Sequence, residues 1–340
     1  MSPAPIRRVG FVGIGNMGWP MAARLVQAGF EVIAADAAPG RAAAFAADVG
    51  GRPADSVADA ARSDALVTML PTSGHVAEVI REAAGVLSAG TLVIDMSSGV
   101  PAVTQSLAAD LAGRGIELID CPVSGGVARA RTGQLAIMAG GDPGQLRRAE
   151  PMLTAMGASV HHCGGVGAGQ AMKALNNLVS AGGFLIGVEA LLIGQRFGLD
   201  PALMVDVLNS SSGMNNSTQR KFKQFVLSRR FDSGFGLDLM VKDLSIALEI
   251  GRDTQTPAPF AALCRELWSS AAAVLGPGQD HTAAARLSET LAGTVLESTV
   301  LESTVLGSTG LGSTGPGTTE PEAMEPETTE PGSTEPGEAR

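Results

Sequence analysis

Cysteine is scarce in this 340-residue chain: Cys121, Cys163 and Cys264 are the only three, and no two stand close together. An odd count without close spacing excludes a disulfide framework and a CxxC metal site. A reducing compartment is therefore the simpler setting, and no metal centre is expected. Tyrosine is absent, and charged residues make up only 17 %. Positive charge is outweighed, with 24 Lys and Arg against 34 Asp and Glu, a net of −10 that argues against a nucleic-acid surface. That acidity is uneven. Residues 296–340 hold nine Glu and one Arg, a net of −8, so residues 1–295 sit near −2 and the acidity says little about a substrate. Long apolar runs are also missing. Met1–Arg8 carries two Pro and two Arg and leads straight into a strand pattern, so no signal peptide is expected. No uninterrupted apolar stretch reaches the roughly 18 residues that span a membrane. These absences predict a soluble, cytoplasmic protein with neither a nucleic-acid nor a membrane partner.

What is present is enough apolar sequence, 45 %, and enough length for two packed domains. Short apolar runs at Val9–Val12, Glu31–Ala35, Ala65–Leu70, Thr91–Asp95 and Ile116–Asp120 alternate with helical patterns such as Met21, Leu25 and Ala28. Doubly buried strands separated by helices read as βαβ units on a parallel sheet. Gln134–Ala139 and Ser159–Cys163 add two further strand-like runs. From Gln170 to Phe197 one long helical pattern without proline bridges to a region of helices only, at 201–209, 216–228, 237–254, 260–275 and 282–291. The predicted fold is α/β: a Rossmann-type, doubly wound parallel sheet (1–166), joined by a long helix to an all-α domain (167–292). A tail follows (293–340), whose last 45 residues divide into nine pentads rich in Gly, Ser, Thr, Pro and Glu. Such a repeat cannot bury enough apolar surface to offset the entropy of ordering, so disorder and no catalytic role are expected there.

The first strand ends in Gly13-Ile14-Gly15-Asn16-Met17-Gly18, which fits GxGxxG between a strand and a helix. Gly13 permits the tight turn, Gly15 lets a pyrophosphate approach the backbone, and Gly18 lets helix and strand pack closely. The helix N-terminus then faces the phosphates with unpaired N–H groups. The second strand leads to Asp36, eighteen residues past Gly18. A carboxylate there accepts from both ribose hydroxyls and repels a 2′-phosphate, so NAD is expected, with NADP left open by Arg41.

Three more segments carry chemistry. Asp120-Cys121-Pro122-Val123-Ser124-Gly125-Gly126 ends the fifth strand, where the ligand crevice of a parallel sheet opens. Its Ser-Gly-Gly turn offers a hydroxyl and backbone N–H groups to a carboxylate. The stretch 167–177 opens the bridging helix and places Lys173 and Asn177 four apart on one face. Lys242 and Asp243, in 235–244, read by themselves as a solvated charge pair.

The order GIGNMG, DCPVSGG, GAGQAMKALNN, LMVKDL resembles the β-hydroxyacid dehydrogenase family, over about residues 6–292. Its best-known members are 3-hydroxyisobutyrate dehydrogenases, with tartronate semialdehyde reductases as close relatives. The resemblance implies that Lys173 is the catalytic lysine, that Ser124, Gly125 and Gly126 hold the substrate carboxylate, and that Asn177 positions the substrate. It places Leu70 and Pro71 along the cofactor and Ser98 near the nicotinamide. Lys242 would reach the cofactor cleft from the second domain. It also implies a small 3-hydroxy acid as substrate and a homodimer or homotetramer. Two competing readings are a reductase of imines and a non-catalytic dinucleotide-binding scaffold; relatives of both kinds usually lose the lysine, which is kept here. The Ser- and Asn-rich stretch 210–216 is the expected reader of the remainder of the substrate.

Overall fold

Alternation of strand and helix sets the architecture in the computed structural model, which describes residues 5–297. The elements β1 (Arg8–Val12), α1 (Gly18–Gln27), β2 (Glu31–Ala35), α2 (Arg41–Asp48), β3 (Arg52–Pro53), α3 (Val57–Ala61), β4 (Ala65–Thr68), α4 (Ser73–Ala83), β5 (Leu92–Asp95), α5 (Pro101–Ala112) and β6 (Glu117–Asp120) follow one another strictly. β7 (Val123–Ser124), α6 (Gly126–Thr132), β8 (Leu135–Gly140), α7 (Pro143–Met156) and β9 (Gly157–Gly164) complete this half. The sheet order is β3-β2-β1-β4-β5-β6-β8-β7, with β9 on β8.

Every pair from β3 to β6 is parallel, as expected. β8 runs antiparallel to β6 and β7. The chain turns back at the carboxyl edge through β7 and α6, neither of which was legible in the sequence, so β8 enters from the end where β6 stopped. Successive strand residues point to opposite faces. Val9, Phe11, Val67 and Ile94 pack with Met21 and Leu25 of α1 and Met152 and Leu153 of α7. Leu66 and Val93 pack with Val76 and Ile80 of α4 and Leu111 of α5. Strand order reverses beside β1, where β2 and β4 flank it, and the crevice at a doubly wound sheet's carboxyl edge forms at such a switch point.

Helix α8 (Ala168–Phe197) is 30 residues long. By length and hydropathy it could cross a membrane, but 56 % of its most apolar window is buried inside the protein, the pattern of a core helix. Its start lies against the sheet, where a Cβ on Gly169 would come 2.3 Å from the Met138 carbonyl. Its later turns supply Phe184, Val188 and Leu191 to a separate core with Phe222, Leu244 and Trp268. That core is completed by α9 (Pro201–Asn209), α11 (Leu237–Asp253), α12 (Pro259–Leu275) and α13 (Ala285–Ala292), with the short polar α10 (Asn216–Arg220) between the first two. The helical pattern at 216–228 resolves into α10 and a π-helical turn, Phe222–Leu227.

Residues 293–297, assigned by sequence to the tail, belong to the packed structure. Leu296 is fully buried, and its amide donates to Glu289. The Val295 carbonyl accepts from Gln195 of α8. Leu296 joins the helical core, and hydrogen bonds with Gln195 and Glu289 hold the backbone around it. Disorder, expected over 293–340, is thus not found at 293–297; the remainder of that expectation, 298–340, lies outside the described residues.

Candidate active site

The turn after β1 has the shape its glycines require. Gly13 sits at φ +95°. A Cβ on Gly18 would meet the Gly13 carbonyl oxygen at 1.9 Å, so no other residue closes this turn. Above Gly15 the space is open, with the Arg41 guanidinium 4.0 Å from where a Cβ would stand. Asn16 and Met17 lead into α1, whose first turn has no acidic side chain to compete for its amides. An open concavity of backbone N–H groups at a helix start suits a pyrophosphate, so these residues fit a dinucleotide.

Asp36 stands beside the turn. One oxygen accepts from the Ile14 amide at 2.9 Å, and the other accepts from Ala38 at 2.8 Å and from Arg41 at 3.0 Å. Asp36 and Arg41, opposed in the sequence reading, thus form one ion pair. Leu70 borders the same turn: its side chain would lie 2.9 Å from a Cβ on Gly13, and its amide donates to Ser97. Pro71 follows it, exposed.

A second cluster lies where α8 meets the carboxyl edge. Asp120, at the end of β6, accepts from the amides of Gly167 at 2.7 Å and Gln170 at 2.8 Å, capping the long helix. Burial pushes its carboxyl up to about 6 against the pull of those two bonds. Gln170 in turn donates to Asp95 at 3.1 Å and accepts from the Gly99 amide at 2.6 Å. Burial raises the Asp95 carboxyl as well.

One turn farther, Lys173 is 8 % exposed, and its Nζ donates to Asn177 Oδ1 at 3.4 Å. Asn177 Nδ2 donates to Asp243 Oδ2 at 2.6 Å. A carboxylate only accepts, so Asp243 forces the amide of Asn177 to turn its NH2 away from the lysine and its oxygen toward it. Asp243 also accepts from Ser98 Oγ at 2.7 Å and pairs with Lys242 at 3.2 Å. Lys242 donates to the Ser98 carbonyl, across 144 residues of sequence. Burial holds Lys173 below the ordinary lysine value; Asp243 pulls it up, and Lys242 pushes it down.

The structure thus joins Ser98, Lys173, Asn177 and Lys242 through Asp243 in one hydrogen-bonded network, and gathers Asp36 and Leu70 around the Gly13–Gly18 turn. Ser124 makes no hydrogen bond to Lys173 or Asn177 among the described residues. It is held four residues past Asp120, the cap of the helix that carries them, and Gly125 and Gly126 follow at φ +134° and +67°.

Asp243 corrects the sequence reading. It is 1 % exposed, not half of a solvated pair. The available signal was its place on the apolar stripe of α11, with Met240 three residues before it and Ala247 four after it. The stretch 210–216 is largely exposed, and Asn215 serves as the N-cap of α10 in a capping box. A cavity of about 640 Å³ lies elsewhere, among Arg8, Arg62, Asp64, Thr91 and Arg148.

Comparisons with known proteins cover both halves. The NAD-binding domain of 6-phosphogluconate dehydrogenase matches residues 8–165, and the NAD-binding domain of NADP-dependent 3-hydroxyisobutyrate dehydrogenase matches 167–288. The chain is 36 % identical to 2-(hydroxymethyl)glutarate dehydrogenase of Eubacterium barkeri over 289 residues, covering 84 % of this chain and 96 % of the relative. It is 38 % identical to the mitochondrial 3-hydroxyisobutyrate dehydrogenase of Homo sapiens over 270 residues, covering 76 % and 80 %. Among solved structures, 3-hydroxyisobutyrate dehydrogenase of Mycobacterium tuberculosis with L-serine superposes with a TM-score of 0.77 at 33 % identity, covering 83 % of this chain and 99 % of that one.

Proposed function

This chain belongs to the β-hydroxyacid dehydrogenase family, and on that premise we propose that Lys173 is the general acid–base for oxidation of a small 3-hydroxy acid or reduction of the matching semialdehyde. The enzyme is an NAD(P)-dependent oxidoreductase acting on CH–OH. The nicotinamide cofactor supplies the hydride chemistry. The observation that carries the role of Lys173 is its burial in a network anchored by Asn177 and Asp243.

The chain's own residues divide the work. Ser124 and the Gly125 and Gly126 amides hold the substrate carboxylate. Lys173, made less basic than a free lysine by burial, takes the carbinol proton during oxidation and returns it during reduction. Asn177 keeps the lysine aimed, and Asp243 keeps Asn177 aimed. Lys242 and Ser98 tie the helical half to the sheet beside the reacting centre. Gly13 to Gly18, with Leu70 and Pro71, line the dinucleotide site, and Asp36 binds the adenosine ribose, which favours NAD over NADP.

The proposal includes a cytoplasmic location, supported by three free thiols. It also includes a homodimer or homotetramer. Support comes from α8, where Val179, Ile193 and Phe197 are 77 %, 72 % and 83 % exposed and half-exposed Ile186 lies between them. Absorbance at 340 nm with NAD or NADP and a panel of 3-hydroxy acids tests the activity. Absence of turnover with every acid and both cofactors overturns it.

A further inference from the structure

One more cation faces the side of α8 that carries Lys173. Lys221 follows α10, at φ −127° and ψ −45°, where the chain passes into the π-helical turn. Irregular turns of this kind re-aim side chains and are frequent at functional sites. Its neighbour Phe222 is fully buried, with its ring centroid 5.5 Å from that of Phe184. Gly187 of α8 makes room for that ring: a Cβ there would come within 2.5 Å of it. With Phe222 anchored inward, Lys221 points back at α8. Its Nζ donates to Ser180 Oγ at 3.2 Å and stands 6.0 Å from the centre of the Phe184 ring. Ser180 is seven residues past Lys173 and three past Asn177. The three share one face, with Ser180 about 10 Å farther along the axis.

The Lys221 ammonium has no carboxylate within ion-pair distance among the described residues. The acid whose charge reaches it, Asp280, has its oxygens taken by Ser233, Gly234, Phe235 and Thr282. Neighbouring His281 is pushed down to about 4, by burial first and then by Lys221, so it is neutral near pH 7. Burial pushes Lys221 itself down to about 8; Asp280 opposes this, and Lys173 adds to it. A desolvated ammonium next to a second cation is unfavourable until an anion joins it.

We propose that Lys221, with Ser180, receives a second carboxylate of the substrate, so that the preferred hydroxy acid is a dianion. This rests on the dehydrogenase reading above. The first carboxylate lies on the Ser124 loop, the carbinol at Lys173, and the second acidic arm runs along α8 to Ser180. Lys221 then selects between substrates and takes no part in proton transfer.

The test compares three substrates: 3-hydroxyisobutyrate, its analogue with the methyl group replaced by a 2-carboxyethyl arm, and the carboxamide of that analogue. The readout is the ratio of kcat/KM for the carboxylate arm to that for the amide arm, taken within each protein so that partial misfolding cancels. The wild type should prefer the carboxylate arm by about tenfold or more. Lys221→Met should bring the ratio near one, and Lys221→Arg should keep it. If Lys221→Met does not fold, Lys221→Gln gives the same comparison. A wild-type ratio near or below one, or a ratio unchanged without the lysine, overturns the proposal while turnover upholds the dehydrogenase. Absence of turnover with all three acids, together with the wider panel, overturns both.

Discussion

At the scale of single residues, the site turns on how a lysine is made less basic without being left uncontrolled. Removal of Lys173 as Lys173→Ala should lower kcat by about 10²–10⁴-fold, the usual contribution of a positioned acid–base, with cofactor affinity retained; stopped-flow and cofactor titration measure the two separately. Asp243 raises the lysine while burial lowers it. Neutralising it as Asp243→Asn should therefore move the acid limb of the oxidative kcat/KM profile to lower pH, since oxidation needs the free amine. A profile that falls in amplitude without moving would mean that Asp243 only supports the fold. At the ribose, Asp36 is paired with Arg41. Asp36→Ala frees that guanidinium, and the NAD-to-NADP ratio of kcat/KM should fall by about tenfold or more. A wild type that already prefers NADP would remove the NAD assignment.

At the scale of elements, helix α8 carries the chemistry, and its first turn decides where Lys173 stands. Asp120 caps that turn through Gly167 and Gln170. Asp120→Ala leaves these inner amides unpaired and should cost about 1–3 kcal/mol in urea denaturation. kcat should fall as well, because the lysine one turn on loses its fixed base. The cap also gives a sign to pH dependence. Its carboxyl is raised from 3.8 to about 6 in the fold, so the protonated form is the favoured one. Its stabilising contribution is complete below 3.8 and is lost as pH rises through about 6. Stability of Asp120→Asn should accordingly fall less than that of the wild type over this interval.

At the scale of the whole molecule, the apolar stripe on α8 is the feature a monomer leaves unexplained. Val179, Ile186 and Ile193 recur every seven residues on one side of a helix whose other side forms the core. Light scattering on the purified protein should give a dimer or larger, and Ile193→Glu should shift it toward monomer. A wild type that is monomeric at micromolar concentration ends that part of the proposal.

By itself, the sequence determined the parallel half of the sheet, the glycine turn with Asp36, and the long helix bearing Lys173 and Asn177. Each of these rests on local rules: period-two and period-3.6 patterning, and a turn that only glycine can close. What it could not show came from contacts between distant segments. Asp243 meets Ser98 across 145 residues, and Lys221 meets Ser180 across 41. Whether a charged side chain is solvated or buried beside a lysine depends on which surface packs over it, and that is fixed only when the helical half closes on the sheet. Leu296 makes the same point at the end of the packed structure: one apolar residue in a repeat gives no periodic signal, and the pocket that receives it exists only in the folded protein.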